Sequence, residues 1–465
     1  MLRHSIVDTL LIAAFAGIAY WVLRAPSFYG DGGYLLFRVA WEQNDWQNHP
    51  LFLTLAGRLA RALEGSSLPL FDAMALVSAL GGALYVFASH RAALALGASR
   101  GRAAVAATLC ACMPVVVVFA TLIEVQGPFL GVAGLVFWCA AALVRDPRWW
   151  LAALTGAATA LAQGVHASGV LLLPAAIALV ASERSARGVE RRSWITLREL
   201  AIVVGAHLLT LAGLLLVLRP DFGFARLVQN ELLSSPPPSE SFTTQLANSL
   251  LLEWGVPFAP LSVVPLFALV IPTPGFQRVV LWMLPCLYLT LGTWAMRGVC
   301  ANGAMLAPLT IFIGLWVARS VPVPLGLAIA LATLPVTWRS FDAVQNRGLV
   351  RITQEMVAET FGTKPVGFMV GEPAEAVPVV RHAPKTPWLL VESFLRQHRA
   401  YEALCAAFQA SATATDLYVT PNALDQLRSA SDPVVVRFVK DELDKHYQML
   451  GDPRTKFQLL LVRRN

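Results

Sequence analysis

Apolar blocks of bilayer-crossing character recur through the first three quarters of the sequence, at residues 5–23, 71–89, 103–122, 126–144, 150–164, 168–182, 200–218, 258–273, 279–296, 303–318 and 322–338. A hydrocarbon core about 30 Å thick is crossed by about 20 such residues in a helix, and a single helix satisfies all its own backbone hydrogen bonds there. The composition agrees, since 56% of the 465 residues are apolar and 14% are charged, whereas soluble domains carry about 25% charge. A water-soluble globular protein is thereby excluded. The chain reads as an all-α polytopic membrane bundle of about 11 transmembrane helices. The first block ends Tyr20-Trp21-Val22-Leu23-Arg24, without the small residues of a signal cleavage site, and so reads as a retained span.

Lys and Arg outnumber Asp and Glu by 36 to 29, a net charge of +7, yet their placement gives nucleic acid no role. The arginines gather in alternate short connections: Arg91, Arg100 and Arg102; Arg145 and Arg148; Arg184, Arg187, Arg191, Arg192 and Arg198; Arg278; Arg319. That pattern orients a bundle with its N-terminus in the cytoplasm. The long loops 24–70 and 219–257, and everything after the eleventh block, then fall on the outer side. From residue 339 the composition becomes that of a soluble domain. Valine-rich runs at Val366–Val370 and Trp388–Val391 alternate with helical patterns at Glu392–Ala410 and Val434–Leu450, followed by a strand-like Phe457–Val462. The expected division is a transmembrane module, 1–338, and a small extracytoplasmic α/β domain, 339–465. No internal repeat is visible. Cys110, Cys112, Cys139 and Cys286 lie in apolar blocks, so the six cysteines define neither a disulfide framework nor a zinc site. The Ala-, Leu- and Arg-rich usage suggests a high-GC bacterium, hence an inner membrane.

Ionisable residues at span ends carry the functional signal in so apolar a chain. Asp31 sits in Gly30-Asp31-Gly32-Gly33-Tyr34, where glycines suit both a turn and close approach to a ligand. His49-Pro50 opens a stretch with Leu51, Phe52, Leu55, Leu59 and Leu63 at helical spacing, an amphipathic interfacial helix. Glu124 ends the third span between Ile123 and Val125, a placement that at full depth costs roughly 2 to 3 kcal/mol. His166 lies in Gly164-Val165-His166, and Arg297 is the cation of a short outer loop, suited to bidentate phosphate capture or to snorkelling. The triple proline within Ser234–Glu240 reads as a flap or a linker. Each residue taken alone has a structural explanation. Their emergence on one side argues for a shared extracytoplasmic site.

With these motifs in order, the sequence resembles the C-type glycosyltransferase (GT-C) superfamily, and among it the bacterial relatives of protein O-mannosyltransferases and lipid A aminoarabinose transferases. The resemblance rests on Asp31 after span one, His49-Pro50, Glu124-Val125 and Gly164-Val165-His166. It covers about the first 180 residues by motif and the rest by layout. The chain departs from it in carrying Asp31-Gly32-Gly33-Tyr34 where many relatives have a second acidic residue, and Arg297-Gly298 where an Arg-Tyr type motif is common. The resemblance implies an inverting hexosyl- or pentosyltransferase moving a sugar from a polyprenyl-phosphate donor to an acceptor hydroxyl on a glycan, lipid or protein. Within it, Asp31 and Glu124 are the catalytic candidates, with Asp31 the base and Glu124 holding acceptor, sugar hydroxyls or a divalent ion. His49, His166, Arg297 and Tyr34 bind the lipid phosphate or the sugar. No cofactor is required, and a divalent cation is permitted.

Two other classes compete. A transporter or lipid flippase would place ionisable residues at mid-span, for which His207 is the clear candidate; a catalytically inactive scaffold of the same fold would keep the layout without the chemistry.

Overall fold

The computed structural model describes residues 2–28, 32–40, 49, 51–65, 68–186, 193–218, 241–271, 303–345, 349–350, 366–372, 375–377, 379, 383, 386–451 and 460–464. Asp31, Arg297, the apolar block 279–296 and the Ser234–Glu240 stretch lie outside them. The chain divides into two compact units, Met1–Ala25 with Gln43–Arg347, and Pro26–Glu42 with Gly348–Asn465.

The first unit is helical. Its long elements are α1 (Leu2–Val22), α4 (Leu70–Ala95), α5 (Arg100–Cys112), α6 (Pro114–Thr121), α7 (Gln126–Arg145), α8 (Trp149–Val165), α9 (Leu172–Ala186), α10 (Ser193–Leu218), α13 (Thr310–Ser320) and α14 (Val323–Gln345). Shorter pieces are α3 (Arg58–Glu64), α11 (Phe242–Ser249) and α12 (Val264–Val270); α2 (Gly32–Ala40) belongs to the second unit. Among the described residues four helices are long and apolar enough to cross a membrane, or five if the bent pair α5 and α6 is one span. Among the described residues the expected count of about 11 is thus not confirmed on length and composition. The block 103–122 is broken because Pro114 starts a new helix and Met113 is extended, giving a 61° bend. Block 258–273 holds a 3-10 turn and the seven-residue α12, which at about 1.5 Å per residue is far too short to cross.

Helices α4 and α7 form the centre, with 72% and 67% of their apolar windows buried, whereas the window on α10 is 11% buried and faces outward. Glycine makes the central contact. A Cβ on Gly81 would lie 2.2 Å from the Gly127 carbonyl oxygen, and one on Gly127 would lie 2.7 Å from Ser78 Cα. Small residues allow such backbone approach. Gly81→Val forces the two helices apart against backbone rather than a flexible side chain. Overpacking of this kind costs about 1–3 kcal/mol or more, and we expect a lower melting temperature and a loss of monodisperse protein on size exclusion.

The peripheral α10 is tied to α8 at Gly156, whose added Cβ would lie 2.1 Å from Val203 O, and by Thr159 Oγ1 and His207 Nδ1 at 2.9 Å. His207, the residue a transporter reading would use, is thus an interhelical hydrogen-bond partner. At the Arg145 end of α7, Arg184 pairs with Glu199 and donates to Leu143 O at 2.6 Å, and Arg319 makes a two-pronged pair with Glu183 at 2.7 and 3.3 Å. The helical stretch expected after His49 is a π-helical turn, Phe52–Gly57, running into α3. Its buried face is Leu51, Phe52, Ala56 and Ala60, while Leu55 and Leu59 are 57% and 44% exposed. Leu55 and Leu59 of the expected stripe therefore point away from the bundle, while Leu51 and Phe52 pack inward together with the small Ala56 and Ala60.

In the second unit β1 (Ser27–Phe28) pairs antiparallel with β2 (Leu349–Val350). The C-terminal portion is a mixed five-stranded sheet in the order β4-β3-β5-β7-β6, from β3 (Val366–Val370), β4 (Trp388–Leu390), β5 (Asp416–Val419), β6 (Tyr447–Gly451) and β7 (Leu460–Arg464). The first three strands are parallel and β7 runs antiparallel to both neighbours. Alternation along β3 sends Met369 into a core with Phe394, Leu404, Phe408 and Phe438, and Phe368 and Val370 to the opposite face with Tyr418. The α/β expectation is met in type. The helical pattern 434–450 ends earlier, because Tyr447–Gly451 pairs with Leu460–Arg464 as a strand.

Candidate functional site

The site assembles where α7 begins and α8 ends. The Gly81–Gly127 contact fixes the start of α7. In the turn before it Ser78 Oγ donates to Glu124 O at 3.5 Å, and Glu124 Oε2 accepts from the Val125 amide at 3.2 Å. Glu124 is half-buried, and the next polar residue, Gln126, is buried at 6% exposure. One turn further along α7, Phe129 packs on the His166 ring, centroids 5.3 Å apart.

Helix α8 stops at Val165 because His166 turns extended, at φ −148° and ψ 135°. The His166 side chain then caps the following 3-10 turn, Ala167–Leu171, its Nδ1 accepting the Ser168 amide at 3.1 Å and lying 2.7 Å from Ser168 Oγ. A backbone N–H can only donate, so Nδ1 carries the lone pair and Nε2 carries the proton. His49 arrives from the other end of the sequence. Its ring stacks on His166 with centroids 4.7 Å apart and 26° between planes, and its Nδ1 donates to Val165 O at 3.2 Å. Leu51 closes the approach, since any Cβ on Gly164 would meet its Cδ1 at 2.5 Å.

Both imidazoles are more than nine-tenths buried, at 7% exposure each. Burial pushes His166 down to about 4, and burial followed by the neighbouring His166 holds His49 well below its usual range against the pull of the Val165 carbonyl. The pair is neutral at physiological pH. Between about pH 6.5, where an unfolded histidine titrates, and about 4 the unfolded chain binds a proton that folded His166 does not. Its contribution is therefore full above the upper value and is lost as pH falls toward the lower. We expect the apparent melting temperature to drop between pH 7 and pH 5 and the drop to be smaller in His166→Asn.

Of the residues singled out in the sequence, the structure brings His49 and His166 into contact and places Glu124 at the α6–α7 turn leading into the same helix. Tyr34 lies in the second unit on α2, 39% exposed, its hydroxyl accepting from Arg38 Nη2 and its ring under the guanidinium at 4.6 Å. Asp31 and Arg297 fall outside the described residues. Phe129, Gln126, Gln163 and Ser168 were not singled out. The available signal was two glutamines at the ends of otherwise apolar helices. Among the described residues no group of three His, Cys, Asp or Glu stands together to hold a metal.

A separate apolar cleft of about 1180 Å³ opens between α1, the α5–α6 bend and α14, lined by Phe15, Tyr20, Cys112, Val117, Leu334 and Trp338 among others. Arg24 closes the end of α1 by pairing with Asp72 at 3.0 Å and stacking on Trp21.

No family model and no curated protein matches the sequence. Solved structures do match in fold. ArnT from Cupriavidus metallidurans bound to undecaprenyl phosphate aligns with 97% of both chains at 13% identity and a TM-score of 0.51. The Archaeoglobus fulgidus oligosaccharyltransferase aligns with 99% of this chain and 74% of its own at 12% identity and 0.52. The arabinofuranosyltransferase AftD from mycobacteria aligns with 88% of this chain at 18% identity and 0.51, this chain spanning 36% of AftD. All three are GT-C glycosyltransferases, so the fold resemblance inferred from the sequence motifs holds: this integral membrane protein has the GT-C fold.

Proposed function

We propose that the protein is an inverting glycosyltransferase that moves a sugar from a polyprenyl-phosphate carrier to an acceptor hydroxyl on the outer face of a bacterial inner membrane, with the C-terminal domain on that side. The observation that carries this reading is the meeting of two distant sequence motifs, His49-Pro50 and Gly164-Val165-His166, in one stacked ring pair at one end of a GT-C bundle. In the proposed step the acceptor oxygen attacks the anomeric carbon as the bond from that carbon to the phosphate oxygen breaks. The hydroxyl proton passes to Asp31, and the carrier phosphate leaves as an anion near Arg297. Attack opposite the leaving group inverts the centre. Glu124 holds a reacting partner through hydroxyls or a divalent ion. The apolar cleft between α1 and α14 offers an isoprenoid chain an uncharged surface. The pairing of His207 with Thr159 removes the main support for a transporter.

The test is transfer or hydrolysis by purified protein in lipid against a panel of polyprenyl-phosphate pentoses, hexoses and aminosugars, with and without EDTA. Turnover of one or more donors is expected; no turnover of any would set the reading aside in favour of an inactive scaffold.

A further inference from the structure

The cleft between α1, the α5–α6 bend and α14 is built on a broken helix. Met113 is extended and Pro114 has no N–H, so the amides that would close the last turn of α5 turn elsewhere: Val115 N donates to Pro257 O at 3.0 Å and Val116 N to Met113 O at 3.0 Å. The carbonyls of Ala111 and Cys112 are thereby released inside the bundle, where an unmet acceptor is costly. Each is met from a cleft wall. Tyr20 of α1 donates its hydroxyl to Ala111 O at 2.9 Å, and Thr337 of α14 donates its own to Cys112 O at 2.6 Å. The break is thus closed by the two helices that flank it, and their hydroxyls are spent in doing so. Among the described residues none that lines the cleft is charged, and Thr108 and the Cys112 thiol are the polar side chains left on an otherwise hydrocarbon surface. Water in such a space lacks the several polar partners it needs, and so does a sugar or a phosphate.

We propose that this cleft seats the isoprenoid chain of the polyprenyl-phosphate donor over the depth of one leaflet, with the phosphate-bearing end leaving it beside the turn that carries Glu124. The inference rests on the glycosyltransferase reading. The lining of α1 runs from Leu11 to Leu23, about 18 Å at 1.5 Å per residue, against about 15 Å for half a hydrocarbon core. Phe15 and Trp338 line the cleft and are 78% and 59% exposed, so it opens sideways, and a chain enters from the bilayer without crossing a polar surface. At the Leu23 end the backbone is fixed, because Ala25 N donates to Thr121 O at 2.9 Å, and Thr121 lies three residues before Glu124. A chain lying against α1 therefore ends next to that turn. A phospholipid would suit the apolar walls but brings no reacting bond to that end, whereas the carrier's chain is joined to the phosphate whose bond to the sugar breaks. The cleft holds a leaflet's length of the carrier, and the remainder trails into the bilayer.

The test labels the full chain, in phospholipid nanodiscs, with undecaprenyl phosphate carrying a photoreactive diazirine in its chain near the phosphate, and maps the adducts by peptide mass spectrometry. Adducts are expected within Leu11–Leu23 and Leu331–Phe341, and excess undecaprenyl phosphate is expected to remove them. Ala19→Phe places a ring in the cleft and is expected to weaken undecaprenyl phosphate roughly tenfold, with a melting temperature that holds or rises because the ring fills open space. Leu10→Phe, on the exposed face of α1 outside the lining, is expected to change neither. The wild-type adducts decide the matter if Ala19→Phe does not fold. Adducts on other helices with donor turnover intact, or unchanged affinity in Ala19→Phe, overturn the chain site alone. A photoreactive phosphatidylethanolamine that labels the same two stretches and is not displaced by undecaprenyl phosphate assigns the cleft to a resident phospholipid and overturns it likewise. Wild type that turns over no donor and gives no adduct removable by undecaprenyl phosphate overturns the glycosyltransferase reading as well, so the two failures are told apart.

Discussion

Asp31→Asn is expected to lower donor turnover by roughly 10² or more, the scale at which a general base contributes, with little change in expression, melting temperature or affinity for undecaprenyl phosphate. The substitution is nearly isosteric, so its size and its hydrogen-bonding shape are kept and only the capacity to take the acceptor proton is lost. A hydroxyl is a poor nucleophile until that proton has a destination, and so the loss should appear in kcat rather than in KM. Position and chemistry separate this expectation from a turn role. A purely structural aspartate flanked by Gly30, Gly32 and Gly33 would leave turnover unchanged in this variant, because asparagine supports the same turns. Glu124→Gln provides the contrast. Glu124 already accepts from the Val125 amide, and its proposed work is holding a reacting partner, so a rise in KM should accompany any fall in kcat. Unchanged turnover in Asp31→Asn would move the base to Glu124.

Why some of this was legible in sequence and some was not follows from which interactions are local. The apolar blocks 71–89 and 126–144 became α4 and α7, because hydropathy over a span-length window is a local property and these helices also supply the centre of the bundle. The break at Met113–Pro114 lay within one continuous apolar run, where a proline is tolerated in membrane helices; only the packing around it selects an extended Met113 over a kink. In the C-terminal domain Val366–Val370 announced itself by β-branched residues, whereas Asp416–Val419 is four residues long and becomes a strand through partners on both sides, β3 and β7. The same non-local pairing turned the tail of an apparent helix into Tyr447–Gly451. At the site the histidines could be named from motif and side, but not their protonation. The tautomer of His166 is set by Ser168 two residues on, and its charge by burial under His49 and Phe129. Gln126 and Gln163 carry no decisive signal in the sequence, because a neutral amide at a span end needs no explanation until its burial and its unpartnered Oε1 are seen.

Glu199→Leu is expected to be among the most destabilising single substitutions in the helical unit, and the reason is the partner it strands. Arg184 and Glu199 are 6% and 4% exposed in their side chains, and Arg184 reaches a third helix through Leu143 O. Removing one member of a buried pair leaves an uncompensated charge, at a cost of about 3–5 kcal/mol, while replacing both by apolar residues of similar volume is often neutral or stabilising. The double substitution Arg184→Met with Glu199→Leu should therefore recover most of the melting temperature lost in Glu199→Leu alone, a coupling that a double-mutant cycle measures directly. The neighbouring pair, Arg319 with Glu183, has its arginine 26% exposed, so water can solvate what a mutation leaves behind and Glu183→Leu should cost less. Location makes the cycle informative about function too. Leu143 and Phe129 are separated by about 20 Å along α7, so the charge cluster and the histidine pair occupy opposite ends of one helix. If the cluster serves only to lock α7, α9 and α10 together, the recovered double variant should turn over donor at the wild-type rate; a variant that regains its melting temperature but not its activity would show that this end of the bundle is coupled to the site.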